Sequence, residues 1–230
     1  MVFETSHTAV ESRLLDIALP AQATVLEAGC GRTTRLIQRR DRIRSLVGVD
    51  LDVEAGRQNT ALDSFLVADL CEQLPFADAS FDVVYANFVV EHLERPDDTF
   101  REWHRVLRPG GHLVLLTTNR ASPLIRAAEC LPQTLRVVIK RRGPGVRTHD
   151  VFPAHYRANT PRQLSTALAG VGFAPIVVQP VATLDRYAGH HRLLAAALRG
   201  SERLLPADRR STIVGLWAAG PAPETAPTAD

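Results

Sequence analysis

The sequence is poor in lysine and has no excess of charge of either sign. Lysine occurs once, at Lys140, and the 27 lysine and arginine residues are nearly balanced by 25 aspartate and glutamate residues. General affinity for nucleic acid needs a clear positive excess facing the phosphate backbone. We therefore expect no nucleic-acid partner.

Cysteine and long apolar runs are also scarce. Cys30, Cys71 and Cys130 are widely spaced and form no C-x-x-C pattern, which excludes an obvious disulfide framework or zinc site. We therefore predict no metal. No run is long enough to cross a bilayer, and the first residues show no signal-peptide pattern. A cytoplasmic location is expected.

What the chain does have is the profile of one soluble globular domain. With 45% hydrophobic and 23% charged residues among 230, it supports one substantial core. We expect a single domain over residues 1–220. Residues 221–230 are rich in proline and alanine, and this composition predicts a disordered tail.

Strand and helix patterns alternate along most of the chain. The helical patterns cover 33–40, 97–107 and a segment that starts at Thr160 with a capping box and ends at Gly170 or Gly172. Pro109-Gly110-Gly111 predicts a sharp break before a strand. The strands are short, nearly continuous apolar runs, as parallel strands buried on both faces are: 24–28, 46–49, 65–67, 83–86, 113–116, and later 176–179 and 212–217.

Polar residues follow several of these strands in a regular way. Gly29 and Gly31 end the first strand, where a turn lets the backbone come close to a ligand. Asp50 ends the next strand, 21 positions after Gly29, which suits a carboxylate that binds ribose hydroxyls. Asp69 and Asn87 follow the next two strands. Because ligands bind beyond the carboxyl ends of parallel strands, one crevice is predicted to collect them.

These motifs resemble those of class I S-adenosylmethionine-dependent methyltransferases that act on small molecules. The resemblance rests on Glu27-Ala28-Gly29-Cys30-Gly31, on Asp50, and on Arg105-Val106-Leu107-Arg108-Pro109-Gly110-Gly111, in the family's order over about residues 20–120. It implies a Rossmann-like, doubly wound α/β fold: a mostly parallel seven-stranded sheet with helices on both faces and the seventh strand antiparallel.

The same resemblance implies the roles of individual residues toward S-adenosylmethionine. Glu27, Gly29 and Gly31 would surround the methionine moiety. Asp50 would hold the ribose, and Leu51 would pack on the adenine. Asp69 would accept a hydrogen bond from the adenine amino group, with the Leu70 backbone at the ring edge. Asn87 would lie near the sulfonium and the incoming nucleophile.

One departure from the family pattern concerns the loop after the first strand. Thr33 stands where many relatives have a third glycine, and this predicts altered contacts with the methionine carboxylate. Thr34 stands where a nicotinamide-binding G-x-G-x-x-G loop needs glycine, which weighs against a dehydrogenase. Two alternatives stay open: a non-catalytic scaffold or regulatory subunit that binds the cofactor, and an aminopropyl transferase.

The substrate side is expected in a long insertion at about 119–160, a candidate cap. Apolar residues over 124–139 recur at helical spacing and end in Lys140-Arg141-Arg142. An ordinary packed helix is favoured over one that docks on a membrane or grips a lipid-linked or anionic acceptor. Residues 147–160 resemble a segment of methyltransferases associated with saccharide and natural-product clusters.

The predicted reaction is methyl transfer to an oxygen or nitrogen of a small molecule. If the acceptor is a hydroxyl, a general base is needed, and imidazole titrates near neutrality. His149 is the first candidate because Asp150 could orient it, and His92 is the second. For each histidine, a structural hydrogen bond is the simpler interpretation.

Overall fold

The computed structural model describes residues 7–130, 153–188 and 191–221. Seven strands form one sheet in the order β3-β2-β1-β4-β5-β7-β6. β7 runs antiparallel to both β5 and β6, and the other pairings are parallel. The α/β fold class and the predicted strands are confirmed. The strands are β1 Ala23–Ala28, β2 Ile43–Asp50, β3 Ser64–Val67, β4 Phe81–Asn87, β5 Leu107–Thr118, β6 Phe173–Val181 and β7 Thr212–Ala219.

The helices flank the sheet. They are α1 His7–Ala18, α2 Val53–Gln58, α3 Pro96–Val106, α4 Pro123–Glu129, α5 Pro161–Gly170 and α6 Arg192–Arg203. Short 3-10 helices cover Arg35–Arg42, Val90–His92, Leu184–Ala188 and Ala207–Arg209. The predicted cap at the start of α5 is present, since the Thr160 hydroxyl accepts a hydrogen bond from the Gln163 amide at 3.2 Å.

The helix predicted over 33–40 needs correction. The segment is a 3-10 helix that starts at Arg35, and Arg39 breaks it with φ −125° and ψ 19°. Thr34 precedes it and caps it, because its hydroxyl oxygen accepts from the Leu36 amide at 3.0 Å. A threonine at this position starts the helix two residues later than the apolar spacing indicated.

The break predicted at Pro109-Gly110-Gly111 is also wrong in its position. α3 ends earlier, at Val106, and β5 already pairs with β4 at Leu107. The three residues lie inside β5, where the pairing with β4 is irregular. Phe81 of β4 pairs with Leu107, but Val83, only two residues later, pairs with His112. Gly110 has φ +78°, so the glycine supports a bulge within the strand rather than its start.

The core has one layer on each face of the sheet. On one face, buried residues of β1, β4 and β5 pack with Phe100 and Trp103 of α3 and with Leu164 of α5. On the other face, alternate residues of the same strands pack with Leu14 and Leu15 of α1. The alternation follows from the two-residue repeat of a strand, and the rigid sheet holds the strand ends in fixed positions.

β6 is one outer edge of the sheet. It pairs with β7 on one side only, and the pairing is interrupted between Pro175 and Val177. The Ile176 side chain there is exposed. Pro180 is a second proline in the same strand, and neither proline has an amide hydrogen to donate.

Part of the predicted cap and the predicted tail fall on residues that the structure does not describe. α4 occupies the start of the predicted 124–139 helix, but the remainder, the basic end at 140–142 and His149 lie outside the described residues, as do residues 222–230. Within residues 7–130, 153–188 and 191–221, no helix is long and apolar enough to cross a membrane. No cluster of metal-ligating side chains occurs in the same ranges.

Candidate functional site

The site lies where β1 separates β2 from β4. The strand order reverses direction at this point, so the carboxyl ends of the three strands frame a crevice, the usual place for a ligand in such a sheet. A cavity of about 250 Å³ occupies it. Its walls contain five of the eight predicted cofactor residues. The lining residues are Glu27, Gly29, Cys30, Gly31, Arg32, Thr33, Asp50, Asp52, Ala55 and Asn87.

Gly29 and Gly31, in the loop after β1, have different structural roles. Gly29 has φ +72°, and an added Cβ would lie 2.3 Å from Cγ2 of Val89, so this glycine allows close packing of the loop on the chain after β4. Gly31 has φ +50°, but an added Cβ would meet nothing within 4 Å. Gly31 therefore leaves open space beside the cavity, where a ligand can approach the backbone.

Asp50 fixes the shape of that loop. Its Oδ2 accepts a hydrogen bond from the Gly31 amide at 2.8 Å, and its Oδ1 accepts one from the Asp52 amide at 2.9 Å. Each carboxylate oxygen has a second lone pair. Asp50 can therefore hold the loop and still accept further hydrogen bonds from a ligand.

Glu27 is the most unusual group in the site. Its side chain is only 3% exposed, and its Oε2 has no hydrogen-bond partner. The pKa of Glu27 is raised to about 8. Burial is the largest cause, and the Asp50 and Glu11 carboxylates add to it, whereas a hydrogen bond from Thr34 lowers the pKa. A buried acceptor without a partner costs free energy unless a ligand supplies the donor.

Asn87, at the tip of β4, shows the same incomplete bonding. Its Oδ1 is buried without a hydrogen-bond partner and lines the same cavity as Glu27. Two unpartnered acceptors in one cavity fit a ligand that brings donors or positive charge, such as the ammonium group of an amino acid. The residues present therefore fit the methionine end of the cofactor that the sequence indicated.

The remaining three predicted cofactor residues lie outside this cavity. Leu51, directly after β2, is 55% exposed. Asp69 is exposed, and its Oδ1 accepts from the Cys71 amide at 2.8 Å, whereas Leu70 is buried. The chain after β3 does touch the site, because the Ala68 amide donates to the Asp50 carbonyl at 3.3 Å. Leu51 follows the end of β2, and Asp69 and Leu70 follow the end of β3.

A buried polar network lies at the end of β5. Glu91 is 5% exposed, and its two carboxylate oxygens accept from the hydroxyls of Thr117 at 2.8 Å and Thr118 at 2.9 Å. Asn159 donates to the Thr117 hydroxyl at 2.7 Å and to the Thr118 carbonyl at 3.1 Å. The network joins the Val90–His92 helix to β5 and to the chain that leads into α5.

His92 is attached to the same segment. Its Nδ1 lies 2.8 Å from the Pro153 carbonyl oxygen, and the Glu91 carbonyl accepts from the amides of His155 and Tyr156. Because a carbonyl oxygen only accepts, Nδ1 carries the proton in this contact, and Nε2 is the basic nitrogen of the neutral ring. Residues 153–156 therefore hold His92 in one orientation and one tautomer.

A larger groove of about 730 Å³ lies between the start of α3 and α5, near Pro96 and Arg162. Its lining contains none of the predicted cofactor residues. All of its lining residues lie in the described ranges, and none has a buried polar side-chain atom without a partner, whereas the smaller cavity has two such acceptors. A buried polar atom without a hydrogen-bond partner indicates a ligand site better than cavity volume does. We therefore assign the candidate functional site to the smaller cavity.

Residues 26–115 match the model of a methyltransferase domain. This segment is similar to the class I S-adenosylmethionine-dependent methyltransferases. A malonyl-[acyl-carrier protein] O-methyltransferase of Enterobacter lignolyticus is 33% identical over 135 residues, which are 55% of this chain and 50% of that protein. A ubiquinone/menaquinone biosynthesis C-methyltransferase of Geotalea daltonii is 32% identical over 116 residues, 47% of this chain and 46% of that protein.

Solved structures agree on the fold. An S-adenosylmethionine-dependent methyltransferase from Mesorhizobium loti has a TM-score of 0.59 at 19% identity, and the match covers 90% of this chain and 96% of that one. The chain spans about half the length of the curated relatives it matches. The fold of a methyltransferase domain is thereby established.

Some residues of the methyltransferase site were missed by sequence reasoning. Asp52 lines the cavity and caps α2, where its Oδ1 accepts from the Ala55 amide at 2.9 Å; an aspartate at a helix start was the available signal. Asn59 donates to the Cys30 carbonyl at 3.1 Å and so helps to hold the loop after β1 in place. Nothing in the sequence pattern singled out Asn59.

Proposed function

We propose that this methyltransferase binds S-adenosylmethionine at the β1, β2 and β4 ends and transfers its methyl group to a small molecule. The observation that carries the proposal is the pair of buried, unpartnered acceptors, Glu27 Oε2 and Asn87 Oδ1, in one cavity beside the Gly31 backbone. The match of residues 26–115 to a methyltransferase domain supports it.

Each site residue has a proposed role toward the bound cofactor. Glu27 accepts from the methionine ammonium group, and Gly31 gives the backbone room beside it. Asp50 accepts from the ribose hydroxyls with its remaining lone pairs. Asn87, next to Glu27 in the cavity wall, faces the reacting end. When bound, the cofactor supplies an electrophilic methyl group on a sulfonium.

The adenine end is proposed to lie along the adjoining strand ends. The exposed Leu51 side chain offers an apolar surface for the ring, and ordering a ligand there would remove that surface from water. Asp69 keeps its Oδ2 for the adenine amino group, since its contact with the Cys71 amide uses Oδ1. The Leu70 backbone is proposed to read the ring edge.

The acceptor is proposed to approach from the β4 and β5 ends, where Asn87 and the Val90–His92 helix lie. Oxygen and nitrogen are the target atoms predicted from the sequence, and the relatives named above include a C-methyltransferase, so carbon joins them as a candidate. The acyl-carrier protein in the name of the Enterobacter relative makes a carrier-linked carboxylate a reasonable candidate. A carboxylate is already ionised at neutral pH and needs no general base.

For a hydroxyl acceptor, we propose His92 as the base. The Pro153 carbonyl fixes the proton on Nδ1, so Nε2 is the atom that would take the acceptor proton. His149, the first candidate from the sequence, lies outside the described residues and remains the alternative base. The protein is proposed to act in the cytoplasm, on a small molecule rather than on nucleic acid.

The test is calorimetric titration with S-adenosylmethionine, S-adenosylhomocysteine, decarboxylated S-adenosylmethionine and NAD. We expect micromolar binding of the first two and at least tenfold weaker binding of S-adenosylmethionine to Glu27→Gln. Glu54→Gln is the matched control, because Glu54 is an exposed glutamate on α2. Exclusive binding of NAD would overturn the proposal, and preference for the decarboxylated cofactor would favour aminopropyl transfer.

Catalysis is tested separately from binding. Production of S-adenosylhomocysteine with acceptors that offer a carboxylate, a hydroxyl or an activated carbon would identify the acceptor class. Tight cofactor binding without turnover on any acceptor, including carrier-linked acids, would favour the scaffold alternative.

A further inference from the structure

Glu11 of α1 is a buried carboxylate that the proposed mechanism does not use. It is 2% exposed. The Tyr85 hydroxyl donates to its Oε1, and the Arg35 guanidinium donates to its Oε2 at 3.1 Å. Burial raises the pKa of Glu11, and both donors oppose that rise because they stabilise the carboxylate form.

The two donors connect Glu11 to the wall of the cofactor cavity. Tyr85 pairs directly with Glu27 in the register of β4 and β1. Because opposed residues of neighbouring strands point to the same face, the two side chains lie side by side. Arg35 begins the 3-10 helix that follows Thr34, the residue whose hydroxyl bonds to Glu27. Glu11 is therefore linked to Glu27 indirectly, through Tyr85 and through Arg35 and Thr34.

We propose that Glu11 is a positioning residue for the cofactor's ammonium group: its buried carboxylate, linked to the cavity wall through Tyr85 and Arg35, adds to burial and Asp50 in favouring a neutral Glu27 until a cation enters the cavity. The inference rests on the proposed function. A neutral Glu27 removes the cost of an unpaired buried charge in the ligand-free protein, and the arriving ammonium displaces the proton. Binding of the cationic end is thereby coupled to release of one proton.

The charged and titratable groups around Glu27 agree with this assignment. Asp50 on β2 and Glu11 on α1 both raise the pKa of Glu27. The Cys30 thiol of the loop stays neutral, since burial raises its pKa to about 12. Burial and the Glu11 carboxylate raise the pKa of Tyr85 as well, so it donates to Glu11 without ionising.

Arg32, in the cavity wall, donates to Gln58 at 2.6 Å and lies 3.8 Å from Asp52. Arg35 is the other cation near Glu27, and its guanidinium contacts the side chains of Glu11 and His7. It therefore stabilises the Glu11 carboxylate directly. The Oε2 atom of Glu27 has no such donor, and this deficit is what the ligand's ammonium would fill. The arrangement favours a ligand with positive charge over one without it.

The test counts protons released when S-adenosylmethionine binds between pH 5.5 and 9, by calorimetry in pairs of buffers with different ionisation enthalpies. Glu27→Gln provides the baseline for titration of the ligand's own amino group, which has a similar pKa. For the wild type we expect release to fall off as pH passes about 8. In Glu11→Gln this midpoint should move to a lower pH.

Asp16→Asn is the matched control. Asp16 is also a carboxylate of α1 and contacts Arg39 of the same 3-10 helix at 2.8 Å, but it is half exposed. If Glu11 only held the 3-10 helix Arg35–Arg42 in place, Glu11→Gln and Asp16→Asn would change the midpoint of proton release equally. We expect the Asp16→Asn midpoint to match the wild type. An unchanged midpoint in folded Glu11→Gln, or the same displacement in both variants, overturns the inference.

A readout without ligand separates this inference from the proposed function. In the ligand-free protein, the gain in unfolding free energy caused by Glu27→Gln should grow with pH up to the pKa of Glu27. In protein that also carries Glu11→Gln, this gain should level off at a lower pH. Glu11→Met keeps the side-chain length and serves if Glu11→Gln does not fold. Absence of cofactor binding in the wild type would refute the proposed function, and the ligand-free profiles would still decide the role of Glu11.

Discussion

The backbone amide of Gly31 donates a 2.8 Å hydrogen bond to Oδ2 of Asp50, so the proposed ribose-binding carboxylate also holds the loop beside the proposed methionine site. Asp50→Asn presents an amide group to two backbone donors and leaves one without an acceptor. We expect unfolding free energy to fall by about 1 to 3 kcal/mol and cofactor affinity to fall at least tenfold, measured by urea unfolding and calorimetry.

Asp63→Asn is the control for Asp50→Asn. Asp63 also accepts from a backbone amide, that of Leu46 at 2.7 Å, but it lies away from the cavity. An asparagine oxygen can still accept from Leu46, and the other Asp63 contact is a partly exposed ion pair with Arg40, so this variant should lower stability by a smaller amount and leave affinity unchanged. Equal losses of affinity in both variants would contradict a direct role for Asp50.

Alanine at the two loop glycines should separate stability from binding. At Gly29 the new methyl group would collide with Val89 at φ +72°, so we expect a loss of more than about 2 kcal/mol. Gly31→Ala meets no neighbouring atom and should cost about 1 kcal/mol for its positive φ, with cofactor affinity at least tenfold weaker. Partial recovery of stability in Gly29→Ala combined with Val89→Ala would verify the collision.

The ionisation of Glu27 predicts how stability depends on pH. Its pKa is raised in the folded protein to about 8, from 4.5. The unfolded chain therefore ionises first, and stability present below pH 4.5 is lost as pH rises through 8. Glu27→Gln should remove this loss, making the ligand-free protein more stable at pH 8 by roughly 3 to 5 kcal/mol.

Thermal unfolding at pH 5 and pH 8 measures that difference. At pH 5 the two proteins should be nearly equal, because Glu27 is neutral in the folded wild type. Glu54→Gln, at an exposed glutamate, should show no such divergence. A constant gap between wild type and Glu27→Gln at both pH values would refute the raised pKa.

The network at Glu91 is expected to support the chain that holds His92. Glu91→Ala leaves the Thr117 and Thr118 hydroxyls without their acceptor, at a cost of about 1 to 3 kcal/mol. Faster amide exchange at His155 and Tyr156 should accompany it. Glu54→Ala is the control, because Glu54 is an exposed glutamate on α2. Unchanged exchange in Glu91→Ala would contradict the role of this network.

Much of this fold could be predicted from the sequence because the sheet is buried on both faces. A short apolar run such as Val25 to Ala28, closed by glycine, is typical of a buried strand, and polar residues at the strand ends mark the crevice. The structural role of Pro109-Gly110-Gly111 could not be predicted, because proline and glycine are typical both of a bulge within a strand and of the turn before a strand. Apolar spacing over one turn also does not distinguish the 3-10 helix at Arg35 from an α-helix.

The chemistry of the site was predictable only in part. Gly29, Gly31 and Asp50 could be found from spacing along the chain, but the bonds that Asp50 makes to the loop follow from the folded backbone. Glu11 carries no sequence signal, because an acid at a core position of an amphipathic helix becomes recognisable only when Tyr85 and Arg35 come together around it. Such contacts join residues far apart in the chain.

The prolines of β6 have a consequence for how this protein behaves when concentrated. An open strand with a full row of amide hydrogens is a template on which another chain can add its own strand. Pro175 and Pro180 interrupt that row, and the irregular step at Ile176 bends it. Replacing both prolines with valine should leave the cofactor cavity intact while making the protein prone to aggregate through this side of the sheet.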